Sequence, residues 1–346
     1  MSLPIIDSHI HLYAASHIDR LNWTADLPPD HALNRQNSVE QYRKAIAGAK
    51  DLRGFVFLET DRKSGLLGNE WEDAFQEVSF LARIAQGEPM SGEGHTAGDK
   101  KLVLGIVPWA PVAAGPGALA RYMNEVQRRS GVSFNKIKGV RYLLQDKPAG
   151  TMLAPNFIEG LQWLGCQGLS FDLGVNARSE GLHQLEEACE MLGRVYADGS
   201  SLKVIINHMC KPDLHITPEA VEAGHSTFAQ WKTCMTKMAR YENTYMKVSG
   251  MFSELPPQTA DQPTDIDELV RHTKPWVDVI FESFGHSRVM FGSDWPVCNM
   301  DGPGIENSWS HYVALFTAIL DSQNFNAEEK AHVWSGTAAR AYKIDL

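Results

Sequence analysis

Cysteine is sparse and unpatterned in this chain. Five thiols (Cys166, Cys189, Cys210, Cys234 and Cys298) are scattered through 346 residues without a CxxC pair. This excludes a disulfide framework and a cysteine-built zinc module, and reads as reduced thiols in an intracellular protein. Long apolar runs are also missing. No stretch approaches the ~18 residues a membrane span needs, and no basic segment followed by an apolar one opens the chain, so a cytoplasmic location is expected. Clusters of positive charge are absent as well. With 32 Lys+Arg against 42 Asp+Glu the formal charge is −10, which argues against nucleic-acid or anionic-membrane partners. No GxGxxG or GxxxxGK[ST] follows the first apolar run, so no phosphate cradle and no organic cofactor are expected there. Repeats, heptads, low-complexity tracts and a visible domain boundary are lacking too. Residues 1–346 are read as one domain, its oligomeric state left open.

What the chain does have is alternation. Eight short β-prone runs recur: Ile5–Leu12, Gly54–Glu59, Leu102–Val107, Ile137–Tyr142, Leu169–Val175, Lys203–His208, Tyr245–Ser249 and Arg288–Phe291. Helical stripes lie between them, such as Phe157/Leu161/Leu164, Leu182/Leu185/Cys189/Leu192/Tyr196 and Phe228/Trp231/Met235/Met238. Pro275 suits the first turn of a helix that ends at Gly285. Eight strands alternating with helices predict an α/β fold, a TIM (β/α)8 barrel with long loops; an open doubly wound sheet is the alternative. Gln86–Lys101 reads as a mobile surface loop with His95 exposed, or as a lid. Leu255–Asp265 follows strand seven and is placed to shape a pocket.

In a barrel the C-terminal ends of the strands face a common site. Those ends carry His9 and His11, Glu59, Trp109, Arg141, Asp172 or Asn176, His208, Lys247 and Asp294. Strand alternation puts Asp7, His9 and His11 on one face and Ile6 and Ile10 on the other. Two imidazoles on one face converge on a point, as a metal ion or a polarised carbonyl requires. The plain alternatives are a hydrogen-bonded strand end for the His pair, a satisfied core histidine for His208 and an Asx-turn carboxylate for Asp294. Arg141 and Lys247 fit structural ion pairs as well as substrate contacts. Asp7 lies one step deeper and suits a supporting role.

The stretches Asp7-Ser8-His9-Ile10-His11, Lys138-Gly139-Val140-Arg141, Asn207-His208-Met209-Cys210-Lys211-Pro212, Met246-Lys247-Val248-Ser249-Gly250 and Phe291-Gly292-Ser293-Asp294-Trp295-Pro296 together resemble the amidohydrolase superfamily. Within it they are most similar to the sugar-lactonase branch, whose members are TIM barrels. The resemblance implies hydrolysis of an aldonolactone such as L-rhamnono-1,4-lactone. Asp294 would be the base and proton donor, with His208, His9 or His11 and Arg141 at the oxyanion. Trp109 and Trp295, with Trp71 further out, fit stacking on the substrate and packing in the core or barrel rim equally; Lys247 and Glu59 could meet the substrate too, Glu59 alternatively being a ligand, pairing with Arg141 or lying exposed. It further implies one divalent metal, zinc foremost, on His9 and His11 with His208 or Asp294, or no metal. A two-metal centre is disfavoured, since strand five offers no histidine and His183 falls in a helix. Two other chemistries fit the same set: hydrolysis of a carboxylated lactone of the muconolactone or pyrone type, and zinc-dependent nonoxidative decarboxylation of an aromatic acid. A catalytically silent barrel is the remaining class.

Overall fold

The computed structural model describes residues 3–345. Eight parallel strands follow the expected order: β1 (Ile5–Ile10), β2 (Leu52–Leu58), β3 (Val103–Val107), β4 (Gly139–Arg141), β5 (Ser170–Leu173), β6 (Lys203–Ile206), β7 (Thr244–Val248) and β8 (Val289–Phe291). Continuous pairing runs through β1–β2–β3 and through β4–β8. Two seams close the ring. Ile106 pairs with Ile137 and Trp109 with Arg141 across the first; Ile10 pairs with Trp295 across the second. The result is a TIM (β/α)8 barrel, and the open-sheet alternative falls.

Alternate side chains sort into two cores, as the strand period demands. Phe55, Phe57, Phe171, Val204, Ile206 and Phe291 point outward against the helices. Val56, Leu58, Ile205, Tyr245 and Met290 fill the interior, and Ala338, Ala341, Tyr342 and Ile344 of the C-terminal segment join that inner cluster. Helices Glu72–Gln86, Pro116–Ser130, Pro155–Cys166, His183–Tyr196, Ser226–Met238, Ile266–Phe284 and Ser308–Ser322 contribute to the outer layer. Each fully buried Leu, Ile or Phe contributes roughly 1.5–3 kcal/mol. No described helix is long and apolar enough to cross a membrane.

Three expectations change here. The first concerns β1. Asp7 pairs with Phe55 and Ile10 with Phe57, so three steps on β1 oppose two on β2. This bulge reverses the alternation. Ile6 therefore lies in the inner cluster and Ile10 in the outer one, and Asp7 faces away from the histidines. The second concerns Pro275, which sits inside Ile266–Phe284 rather than in its first turn. Asp265 caps that helix by accepting from the amides of Asp267 and Glu268. The apolar stripe reaches upstream to Leu269 through the buried Thr273, whose hydroxyl is satisfied by the Leu269 carbonyl. The third is Gln86–Lys101, which folds onto helix Glu72–Gln86. The Glu93 carboxylate accepts from Arg83, and its backbone carbonyl accepts from the Ser38 hydroxyl. His95 is buried, 3.1 Å from Glu93 Oε2 and edge-on to Phe80. Polar composition suggests solvent, but Arg83, Glu93 and His95 pair with one another.

Candidate active site

The bulge that turns Asp7 outward gives it a different task. Its carboxylate accepts from the Ser293 amide (2.8 Å) and hydroxyl (2.7 Å), from Tyr42 (3.0 Å) and from Trp309 (3.0 Å). The turn after β8 is thereby tied to β1. The Asp294 amide donates to the His9 carbonyl at 2.9 Å, and the His11 amide to the Trp295 carbonyl at 2.7 Å. Asp294 itself takes a left-handed backbone, φ +61°, a sparsely populated state that clusters at functional sites.

These constraints bring four side chains together. Asp294 Oδ1 lies 3.5 Å from His9 Nε2, 3.4 Å from His11 Nε2 and 3.8 Å from His208 Nε2. The two strand-one Nε2 atoms are 3.2 Å apart. Behind them, each far ring nitrogen has a partner. His11 Nδ1 donates to the carbonyls of Leu58 and Glu59 at 3.0 Å, so its Nε2 presents a lone pair. His208 Nδ1 meets Ser249 Oγ at 2.8 Å, and His9 Nδ1 meets Lys247 Nζ at 3.3 Å. Gly250 completes the floor. A Cβ there would stand 2.8 Å from His208 Nδ1 and 2.9 Å from Asp294 Oδ2.

Burial and the Lys247 charge hold His9 well below the ordinary imidazole range. Burial likewise brings His208 to about 3 against the pull of Asp294. Both rings are neutral at physiological pH. Burial alone would raise Asp294, yet the neighbouring His208 and His11 imidazoles outweigh it and hold the carboxyl below its usual range. The carboxylate is ionised, and its Oδ1 has no hydrogen-bond donor among the described residues.

His9, His208 and Asp294 form a group that could hold a metal ion, with His11 beside it. A tetrahedral zinc with ligands at ~2.05 Å has edges of ~3.3 Å, and the four separations above bracket that value. The orphaned Oδ1 and the lone pair on His11 Nε2 fit the donor set. Ligand atoms of His9, His208 and Asp294 also lie within 4.8 Å of one another.

Above the tetrad opens a cavity of about 290 Å³, at the small end for small-molecule sites. His11, His208, Asp294 and Arg141 line it. Five residues weighed as substrate contacts stand elsewhere. Glu59 is fully buried behind Arg141, bonded to its Nε at 2.6 Å. Lys247 is sealed below His9, 2.7 Å from Asp172. Trp109 packs on Tyr122 and Tyr142, and Trp295 on Tyr42. Trp71 packs on Phe75 and Tyr122. Their aromatic and charged character was visible, but the layer each occupies was not. His183 is exposed at its helix start, and Asn176 caps the Ser179 amide.

The cavity wall also holds residues that sequence reading did not single out. The loop after β1 supplies Tyr13, Trp23, Leu27 and Leu33, displacing Leu255–Asp265, which contributes nothing to the wall. Asp61 and Lys211 add charge. The signal for both lay close by, two residues past Glu59 and three past His208.

Comparisons with known proteins bear on the family and the fold. The family profile described as Amidohydrolase matches residues 96–344. The chain is 33% identical to an L-rhamnono-gamma-lactonase of Scheffersomyces stipitis, spanning 98% of each. It is 26% identical to an L-fucono-1,5-lactonase of Burkholderia multivorans over 60% of this chain and 64% of that one. A solved amidohydrolase of Burkholderia multivorans with bound zinc superposes over 99% of this chain and 100% of that one, with a TM-score of 0.72 at 22% identity.

Proposed function

The chain belongs to the amidohydrolase family, and from that premise we propose that it is a hydrolase opening the ester ring of a sugar lactone, of the L-rhamnono-1,4-lactone kind. One observation carries the reading: an ionised, donor-free carboxylate oxygen, Asp294 Oδ1, faces three imidazole nitrogens on the floor of a small cavity. Asp294 takes a proton from water as the water oxygen bonds the ring carbonyl carbon. The carbonyl oxygen gains the electron pair and is stabilised by donors on the wall, Arg141 among them. Collapse breaks the ring C–O bond, and Asp294 returns the proton to the departing alkoxide.

His9, His11, His208 and Asp294 would hold a zinc ion. Such an ion supplies Lewis-acid polarisation of the carbonyl and a more acidic water. The neutral imidazoles and the ionised carboxylate are the protonation states that ligation requires.

Charge pairing supports a neutral sugar lactone over a carboxylated one. Arg141 is matched by Glu59 at 2.6 Å, Lys247 by Asp172 at 2.7 Å and Lys211 by Glu254 at 3.6 Å. Asp61 and Asp294 add negative charge to the wall. Among the described residues, a substrate carboxylate would meet Lys211 as the one wall cation without a close partner, set against two wall carboxylates, so most of the cost of desolvating it would go unrecovered.

The test is a pH-indicator screen of aldonolactones, muconolactones and pyrone carboxylates, with and without chelator. Ring opening of an aldonolactone is expected, with Asp294→Asn slowing it ~10²–10⁴-fold. Unchanged hydrolysis by that variant would overturn the reading.

A further inference from the structure

The turn after β6 has an uncommon backbone. His208, Met209, Cys210 and Lys211 all carry positive φ, at 53°, 52°, 62° and 49°. L-residues visit this region singly and rarely in runs, because each Cβ crowds the following carbonyl. Such strain persists only where the surroundings over-determine it. Here they do. Trp231 Nε1 donates to the Met209 carbonyl at 2.9 Å. The Ala177 amide donates to the Cys210 carbonyl at 3.1 Å, and the Arg178 amide to the Lys211 carbonyl at 3.1 Å. The Lys211 amide closes the turn on the His208 carbonyl at 2.7 Å. Met209 and Cys210 are sunk into the outer core, while His208 and Lys211 both reach the cavity wall. The strained turn thus sets a cation on the wall of the cavity that also holds the reacting carboxylate.

The surroundings of Lys211 leave it able to act. Its carboxylate partner, Glu254 Oε1, stands 3.6 Å away, beyond ordinary hydrogen-bond length. That carboxylate is shared with Arg178, whose Nε lies 2.8 Å from Oε2, and with the Ser253 hydroxyl at 3.2 Å from Oε1. Arg141, the other cation on the wall, is more committed. Its Nε and Nη2 are both given to Glu59, each at 2.6 Å.

We propose that Lys211 is a catalytic residue, its ammonium donating a hydrogen bond to the lactone carbonyl oxygen as that oxygen becomes an oxyanion. The assignment rests on the lactonase reading of the site. Water's oxygen bonds the carbonyl carbon, its proton goes to Asp294, and the carbonyl electron pair moves onto the oxygen facing Lys211. The ring C–O bond then breaks, and the alkoxide takes the proton back from Asp294. Lys211 keeps its three protons throughout. A charge-assisted bond of this type strengthens as negative charge develops, so it favours the transition state over the ground state.

Lys211→Gly and Lys211→Arg test this with L-rhamnono-1,4-lactone as the probe. Glycine takes a left-handed backbone without strain, so Lys211→Gly removes the ammonium and eases the turn together. Expected is a ~10²–10³-fold fall in kcat with KM within ~3-fold, typical of a lost oxyanion donor, and an unfolding midpoint no lower than native. Lys211→Arg keeps the charge and restores at least ~10-fold of the lost kcat. A merely structural lysine predicts the reverse, native kcat in the relaxed glycine variant. If the native chain opens the lactone and Lys211→Gly retains kcat within ~3-fold, or changes KM alone, the Lys211 assignment falls and the lactonase reading stands. A native chain that opens no lactone removes the reading itself.

Discussion

Lys247 donates to Asp172 at 2.7 Å, with both side chains wholly shut off from solvent inside the barrel. The same carboxylate oxygen accepts from Tyr342 at 2.7 Å, and Lys247 reaches His9 Nδ1 at 3.3 Å. One polar column thus runs from Tyr342, in the C-terminal segment, up to the catalytic floor. Breaking a buried pair by removing one partner leaves an uncompensated charge and costs ~3–5 kcal/mol, whereas replacing the set by apolar groups of similar volume is often neutral. Lys247→Met should therefore destabilise the protein by about that amount in urea unfolding. The triple variant Asp172→Leu, Lys247→Met, Tyr342→Phe should recover most of the loss. A single variant as stable as the native chain would show that the pair bears no weight.

Gly250 has no freedom to change. Its φ is +65°, and a methyl group there would press on His208 Nδ1 and Asp294 Oδ2 from less than 3 Å. Gly250→Ala should then separate the base from its neighbouring imidazole, with a fall in kcat of at least ~10²-fold, the scale on which ångström misplacements act. Gly48 supplies the control. It also has positive φ, +90°, but nothing lies within 4 Å of its added Cβ. Gly48→Ala should cost ~1 kcal/mol or slightly more of stability and leave kcat unchanged. Equal kinetic effects from the two substitutions would count against the packing argument.

The difference between these positions shows what could be read beforehand. The strand order was legible because β-branched and aromatic runs alternate with helical stripes, and His9, His11, His208 and Asp294 were legible because each ends such a run. The facing of Asp7 was not, since the bulge that turns it is set by pairing with β2 and leaves no mark on β1. Sequence leaves Glu59 and Lys247 open between pocket charge and ion-pair member, because it shows a charge without its depth. The folded chain pairs them with Arg141 and Asp172. Lys211 was hidden for another reason. Its side chain reaches the cavity through a left-handed turn, and no periodicity rule for ordinary backbones predicts that direction. His95 lay in a stretch whose composition mimics a solvated loop, yet its partners Glu93 and Phe80 bury it.

Asp61 supplies a pH signature. Burial, reinforced by the neighbouring Glu59, pushes its carboxyl from the ordinary 3.8 up to about 6, while the Asn22 hydrogen bond opposes the rise. As pH climbs through this window the unfolded chain gives up the proton first and the folded chain retains it. Proton release then favours unfolding, so the contribution to stability is greatest near the lower bound, declines toward about pH 6 and is level above it. The full span amounts to roughly 2–3 kcal/mol. Asp61→Asn removes the titration, preserves the side-chain shape and tolerates the left-handed backbone, φ +53° at this site. Relative to the native chain, the asparagine variant should therefore gain stability between about pH 4 and pH 6 and hold that gain at pH 7. Paired urea titrations at successive pH values measure the gap directly. A gap that stays flat across the window would mean that Asp61 ionises at the same pH in the folded and unfolded chains, and that the cavity wall is wetter than its packing indicates.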